Sequence, residues 1–105
     1  MDARINAEGV EPPVEHRPGP GGGRWFVRLE DGTEAEMTYT RVAPDAISLD
    51  HTYTPPVHRG QDIAFRVMRA VIEDARATGT RIVPRCAYAV AQFRRRPEWA
   101  DVLAG

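Results

Sequence analysis

Apolar and polar positions alternate in three successive runs, and a long helical stripe follows them. Trp25, Val27 and Leu29 share one face of the run from Arg24 to Leu29. Ala35, Met37 and Tyr39 do so between Glu34 and Val42, and Ile47, Leu49, His51 and Tyr53 do so between Ala46 and Tyr53. A period of two marks half-buried strands. Asp31-Gly32 supplies a hairpin turn, because both residues tolerate positive φ. Ala43-Pro44-Asp45 makes the next turn, so the three runs predict an antiparallel meander. Pro55-Pro56 ends it, since proline cannot donate to a ladder. Val14 to Arg17 reads as a short edge strand, and Pro18 to Gly23 as a flexible loop.

The helical stripe runs from about Gln61 to Thr78. Ile63, Val67, Val71 and Ala75 recur four apart, and Ala64, Met68 and Ile72 widen their face. Arg66, Arg69, Glu73 and Arg76 fall on the other side, which is the pattern of an amphipathic helix. Gly79 follows as a natural C-terminal stop. Arg81 to Pro84 is a short apolar strand, and a helix between two strands makes them parallel with a right-handed crossover. Cys86 opens a second, short helix to about Arg95, carrying Tyr88, Val90 and Phe93. Pro97 to Leu103 is a docking segment anchored by Trp99 and Leu103. The expected fold is therefore α+β: an antiparallel meander, a β-loop-α-β unit and a short C-terminal helix.

The length of 105 residues fits one domain, over about residues 14–105, with residues 1–13 a polar, loosely attached arm. A net charge of −1 gives no bulk attraction to nucleic acid or to an anionic membrane. A single cysteine excludes an intrachain disulfide and fits a reducing compartment. No apolar run reaches the roughly 18 residues of a membrane span, and the first residues lack the order of a secretory signal. The reading is a cytoplasmic protein with no membrane partner.

Several places could carry chemistry. The start of the long helix, residues 60–64, offers free backbone N–H groups and a positive dipole end, which suits a phosphate. The structural alternative is an ordinary helix start capped by Asp62. Cys86, at a helix start beside Arg85, is placed as a nucleophilic thiol would be, or it is a small buried apolar residue. His51, read as inward-facing beside Thr52, suits a proton relay or a hydrogen bond to backbone. Tyr88 and Glu36 could serve as proton donor and substrate-side carboxylate, or simply pack and solvate. Arg94-Arg95-Arg96 lacks interleaved aromatics and reads as a solvated or phosphate-facing run rather than a nucleic-acid site. His16, His51 and His58 have no metal-ligand spacing, and no metal is expected.

Several segments together resemble the GNAT superfamily of N-acetyltransferases, in its very small single-domain branch. They are Ala35-Glu36 with Tyr39, Leu49 to Thr52, Arg59 to Ala64, Val83 to Tyr88 with its Pro-x-Cys-x-Tyr segment, and Phe93 with Arg96 to Val102. The resemblance implies a twisted mixed sheet whose central parallel strands splay, with acetyl-CoA in the gap. It implies a cosubstrate set of Thr52, Arg59, Gly60, Gln61, Asp62, Ile63 and Ala64. Arg59 and Ala64 satisfy the family's phosphate-loop pattern, Gln/Arg-x-x-Gly-x-Gly/Ala, while Asp62 stands where that pattern has glycine. The implied activity is acetyl transfer to an amine, with Cys86, His51 and Tyr88 as catalytic candidates. The acceptor could be a peptide, a protein side chain or a polyamine, met in an open groove. The alternative is a non-catalytic acyl-CoA-binding or protein-interaction module of the same fold.

Overall fold

The computed structural model describes residues 12–104. Most of the expected N-terminal arm, residues 1–11, lies outside them. Of its last two residues, Pro12 is buried, and its carbonyl accepts a hydrogen bond from Arg66 Nη2.

Five strands form one sheet in chain order: β1 (Glu15–Pro18), β2 (Gly22–Arg28), β3 (Glu34–Ala43), β4 (Ala46–Tyr53) and β5 (Arg81–Pro84). The first four are antiparallel, and β4 and β5 are parallel, as the crossover predicts. Helix α1 (Ile63–Thr78) makes that crossover, and helix α2 (Ala87–Arg95) follows β5. A 3-10 segment, Pro97–Val102, then leads Leu103 into a parallel bridge with Ile82. One core collects Trp25, Met37 and Leu49 from the sheet, Val67, Met68 and Ile72 from α1, and Phe93 and Trp99 from the C-terminal part. Arg96 lies 4.4 Å over the Phe65 ring and 5.6 Å over Trp99, a cation–π clamp joining α1 to the chain end.

The glycine-rich stretch departs from expectation. Gly22 and Gly23 belong to β2, opposite Thr40 and Tyr39. A side chain at Gly22 would run into the Tyr39 carbonyl, and one at Gly23 would lie 2.5 Å from the Arg17 carbonyl. Glycine here lets neighbouring backbones close, and flexibility is incidental. β1 is fastened by His16, which stacks on Trp25 at 3.9 Å while its Nε2 lies 2.7 Å from the Tyr39 hydroxyl.

The larger correction concerns β4. The expected face of Ile47, Leu49, His51 and Tyr53 does not persist along the strand. Tyr39 pairs with Leu49 but Thr38 pairs with His51, so Asp50 is an extra residue in the ladder. The bulge reverses the alternation. His51 and Tyr53 become exposed, while Thr52, opposite buried Met37, turns to the inner face. Asp50 fixes the bulge with its carboxylate, accepting from Thr40 Oγ1 at 2.6 Å and from Ser48 Oγ at 2.7 Å.

Gly22→Ala should destabilise the fold by about 1–3 kcal/mol, the usual range for forcing atoms into a packed contact. Urea unfolding measures it. A midpoint equal to the parent's would mean that the β2–β3 approach relaxes freely.

Candidate active site

The pairing of β4 with β5 stops at Leu49 and Pro84. Beyond that point β4 continues along β3 alone, and the chain after β5 turns away into α2. The Leu49 carbonyl marks the parting, accepting from both Arg85 N at 2.9 Å and Cys86 N at 3.1 Å. The side chains at this opening are Thr52 from β4 and Cys86 from the start of α2. Thr52 Oγ1 lies 3.2 Å from Cys86 Sγ. The same sulfur accepts the Ala89 N–H at 3.4 Å, so Cys86 is the N-cap of α2. Two donors can therefore converge on Sγ.

A cleft of about 360 Å³ opens beside this pair. It is lined by Thr52, Thr54 and Tyr88 together with Arg59, Gly60, Asp62 and Ala64. Burial raises the Tyr88 hydroxyl pKa above its ordinary value, and the charge of Asp62 adds to the rise. Arg96 and Arg95 pull the other way without cancelling it. Tyr88 thus holds its proton firmly at neutral pH.

The loop between β4 and α1 is built on special backbone. Gly60 has φ 88° and Asp62 φ 59°, both left-handed. Asp62 is the residue before the helix, yet its side chain caps no helical N–H, so the alternative of an Asp62-capped helix start does not hold. The left-handed backbone is the reason, since it removes the extended geometry that an N-cap needs. The first intrahelical bond is Arg66 N to Asp62 O. The N–H groups of Ile63, Ala64 and Phe65 therefore have no partner inside the helix. Ile63 contributes only backbone to the opening, because its side chain is in the core. Arg59 Nε donates to the Thr54 carbonyl at 3.0 Å, which lays its guanidinium along the cleft wall.

A second contact fixes the loop from below. His58 is buried, 8% exposed, and its Nε2 lies 2.7 Å from Asp31 Oδ2 in the β2–β3 hairpin. Asp31 Oδ1 also accepts from Thr33 N at 3.0 Å and Thr33 Oγ1 at 2.6 Å. These bonds, those from Thr33 first, hold the Asp31 carboxyl down at about 2.

The fold thus brings together Cys86, Thr52, Tyr88, Arg59, Gly60, Asp62 and Ala64. Gln61 lies within the loop without lining the cleft. His51 is not brought in: the Asp50 bulge leaves it exposed opposite Thr38, on the other face of β4. Glu36 is also elsewhere, paired with Arg24 at 2.6 Å. Thr54 and the Asp31–His58 contact had no sequence signal, because each depends on where the loop comes to rest. Among the described residues, no helix is long and apolar enough to cross a membrane.

A family model of GCN5-related N-acetyltransferases matches residues 24–102, from β2 through the end of the 3-10 segment. The chain belongs to that family. It is also similar to the solution structure of a GCN5-like N-acetyltransferase candidate from Staphylococcus aureus. The TM-score is 0.63 and the identity 26%, over 87% of this chain and 88% of that one. No curated protein matches the chain significantly.

The Asp31 carboxyl predicts a pH dependence. Its folded pKa, about 2, lies below the ordinary 3.8. Its contribution to stability is therefore complete above about pH 4 and is lost as pH falls from there toward 2. Asp31→Asn should show a shallower loss of stability over that window than the parent. Thermal melts at steps between pH 5 and pH 2, each at fixed ionic strength, make the comparison. Superimposable acid limbs would show that the Asp31 bonds are equally made in the unfolded chain.

Proposed function

We propose that the protein transfers an acetyl group from acetyl-CoA to an amine, in the cleft between the parting of β4 from β5 and the left-handed loop before α1. The observation that carries the reading is that this one cleft joins Tyr88 and Thr52, whose hydroxyl meets the Cys86 sulfur, to a phosphate-suited helix start. The residues fit the cosubstrate. Backbone N–H groups at residues 63–65 and the Arg59 guanidinium would hold its pyrophosphate. Thr52, Cys86 and Tyr88 would border its thioester. Acetyl-CoA supplies an activated acyl group, and the protein supplies position and proton management.

In the direct reaction the amine nitrogen attacks the thioester carbonyl carbon. A C–N bond forms, the C–S bond breaks, the nitrogen gives up one proton and the departing sulfur takes one. Tyr88 is the donor to that sulfur, since its burial keeps the proton in place until a strong base arrives. His51, on the outer face of β4, is given no step. The acceptor is an amine borne by a peptide, a protein side chain or a polyamine, with the cytoplasm as the place of action.

One observation favours a second route. Sγ of Cys86 meets both the Thr52 hydroxyl and the Ala89 N–H, two donors that would stabilise a thiolate. On this route Cys86 gives up its proton and its sulfur bonds to the thioester carbonyl carbon, while the bond to the CoA sulfur breaks and that sulfur takes a proton. The amine nitrogen then bonds to the same carbon, the bond to Cys86 breaks, and the proton the nitrogen loses restores the Cys86 thiol. A non-catalytic acyl-CoA-binding module would show neither route while keeping the affinity.

Calorimetric titration with acetyl-CoA tests the cosubstrate. Binding is expected, with tighter binding by Asp62→Gly. A carboxylate about 6 Å from a phosphate charge costs on the order of 1–3 kcal/mol at an effective dielectric of about 20–40. Glycine also fits the left-handed backbone better, so this variant should be more stable by about 0.5–1 kcal/mol. Absence of binding by the parent at millimolar acetyl-CoA would remove the reading. Equal dissociation constants at low salt would place the carboxylate away from the phosphates.

Tyr88→Phe should bind acetyl-CoA as the parent does yet transfer acetyl at least roughly a hundredfold more slowly, the usual scale for a lost general acid. Intact mass measurement after acetyl-CoA is added without amine separates the routes. The direct route leaves the parent at its native mass. An acetyl adduct that Cys86→Ala abolishes would establish the cysteine route instead.

A further inference from the structure

The β2–β3 hairpin and the loop before α1 are far apart in sequence, and one side-chain contact ties them. Resting on the acetyl-CoA reading, we propose that Asp31 and His58 are positioning residues that hold the cosubstrate loop at the height where its N–H groups meet the pyrophosphate. The loop needs such a hold. It must keep Gly60 and Asp62 left-handed within three residues, and left-handed backbone is costly for a residue other than glycine. The 3-10 turn Pro56–His58 that precedes them has no side-chain cap, and Val57 is 73% exposed. His58 is the buried residue of that turn, so it anchors the turn to the body of the protein.

The anchor is directional as well as buried. Asp31 Oδ2 receives His58 Nε2, while Oδ1 is held by both donors of Thr33. The carboxylate therefore cannot swing away from the hairpin, and the imidazole plane is set by a rigid partner. Arg59 follows His58 directly and reaches back to the Thr54 carbonyl. Tilting the imidazole would carry Arg59 and Gly60 with it. Neither Asp31 nor His58 lines the cleft, so neither touches the cosubstrate, and the pair acts only through the loop.

Asp31 is the residue to change, because its side chain is 43% exposed and lies outside the hydrophobic core. Asp31→Ala should weaken acetyl-CoA binding five- to tenfold and speed hydrogen exchange at amides 58–64 in the ligand-free protein. Asp31→Asn, which keeps an oxygen for the two Thr33 donors and turns an amide N–H toward His58 Nε2 as acceptor, should restore most of the affinity. Thr33→Ala removes the hydroxyl donor to Oδ1 but leaves the backbone N–H bond and the His58 contact, and should bind within twofold of the parent. A merely structural role would lower the melting temperature of Asp31→Ala without changing the dissociation constant or the local exchange, and that result would overturn the proposal. Equal weakening by Thr33→Ala and Asp31→Ala would overturn it too, by assigning the effect to the turn. A parent that fails to bind acetyl-CoA would instead overturn the function on which the pair's role rests. Faster exchange in Asp31→Ala would then still show the contact holding the loop.

Discussion

One extra residue in one strand decides what this site contains. Asp50 has no partner in β3, and its carboxylate is held by Thr40 and Ser48, a directly paired couple next to the irregularity. Because side chains alternate along a strand, inserting a residue exchanges the inner and outer faces from that point onward. Upstream of Asp50 the inner face receives Leu49. Downstream it receives Thr52, which meets Cys86, while His51 is sent outward. The chemistry of the cleft thus depends on a polar network that does not itself reach the cleft. That network is stable because both hydroxyls and both carboxylate oxygens are matched, so nothing is gained by restoring the regular register.

The parting of β4 and β5 has an equally local origin. Pro84 ends β5, and proline has no N–H with which to continue a ladder. The Leu49 carbonyl is then taken by two successive amides, Arg85 and Cys86, as the chain turns into α2. The gap between parallel strands is thereby opened by the sequence Pro84-Arg85-Cys86 and lined by the residue at its end. The same turn sets the thiol at a helix start.

Most of the architecture was legible in the sequence, because it rests on periodicity. The alternation in β2 and β3, the Asp31-Gly32 turn, the 3.6-residue stripe of α1 and its stop at Gly79 are all one-dimensional signals. What escaped involved the third dimension or a break in the period. The bulge at Asp50 looks like any alternating strand, so His51 was placed on the wrong face. Gly22 and Gly23 look like loop, because only the approach of the Tyr39 and Arg17 carbonyls reveals that they must be strand. Asp62 looks like a helix cap, since aspartate favours both that position and left-handed backbone. Its φ of 59° shows which applies, and it explains why the family pattern has glycine there. Cys86, Tyr88 and Thr52 were recognisable as a set only by resemblance, and their meeting could not be read from spacing.

The C-terminal bridge of Leu103 to Ile82 bears on solubility. Leu103 and the Ala104 N–H, which donates to the Ile82 carbonyl at 2.8 Å, occupy the border of β5 that would otherwise be bare. The opposite border is β1, four exposed residues reading Glu15, His16, Arg17 and Pro18. A strand arriving there from another molecule would confront two opposite charges and a proline without an amide hydrogen. Short, charged, proline-ended edges are poor templates for edge-to-edge growth. The sheet is therefore guarded at both borders by cheap means, and a chain of this size can leave β4 and β5 apart without offering the gap's flanks to aggregation.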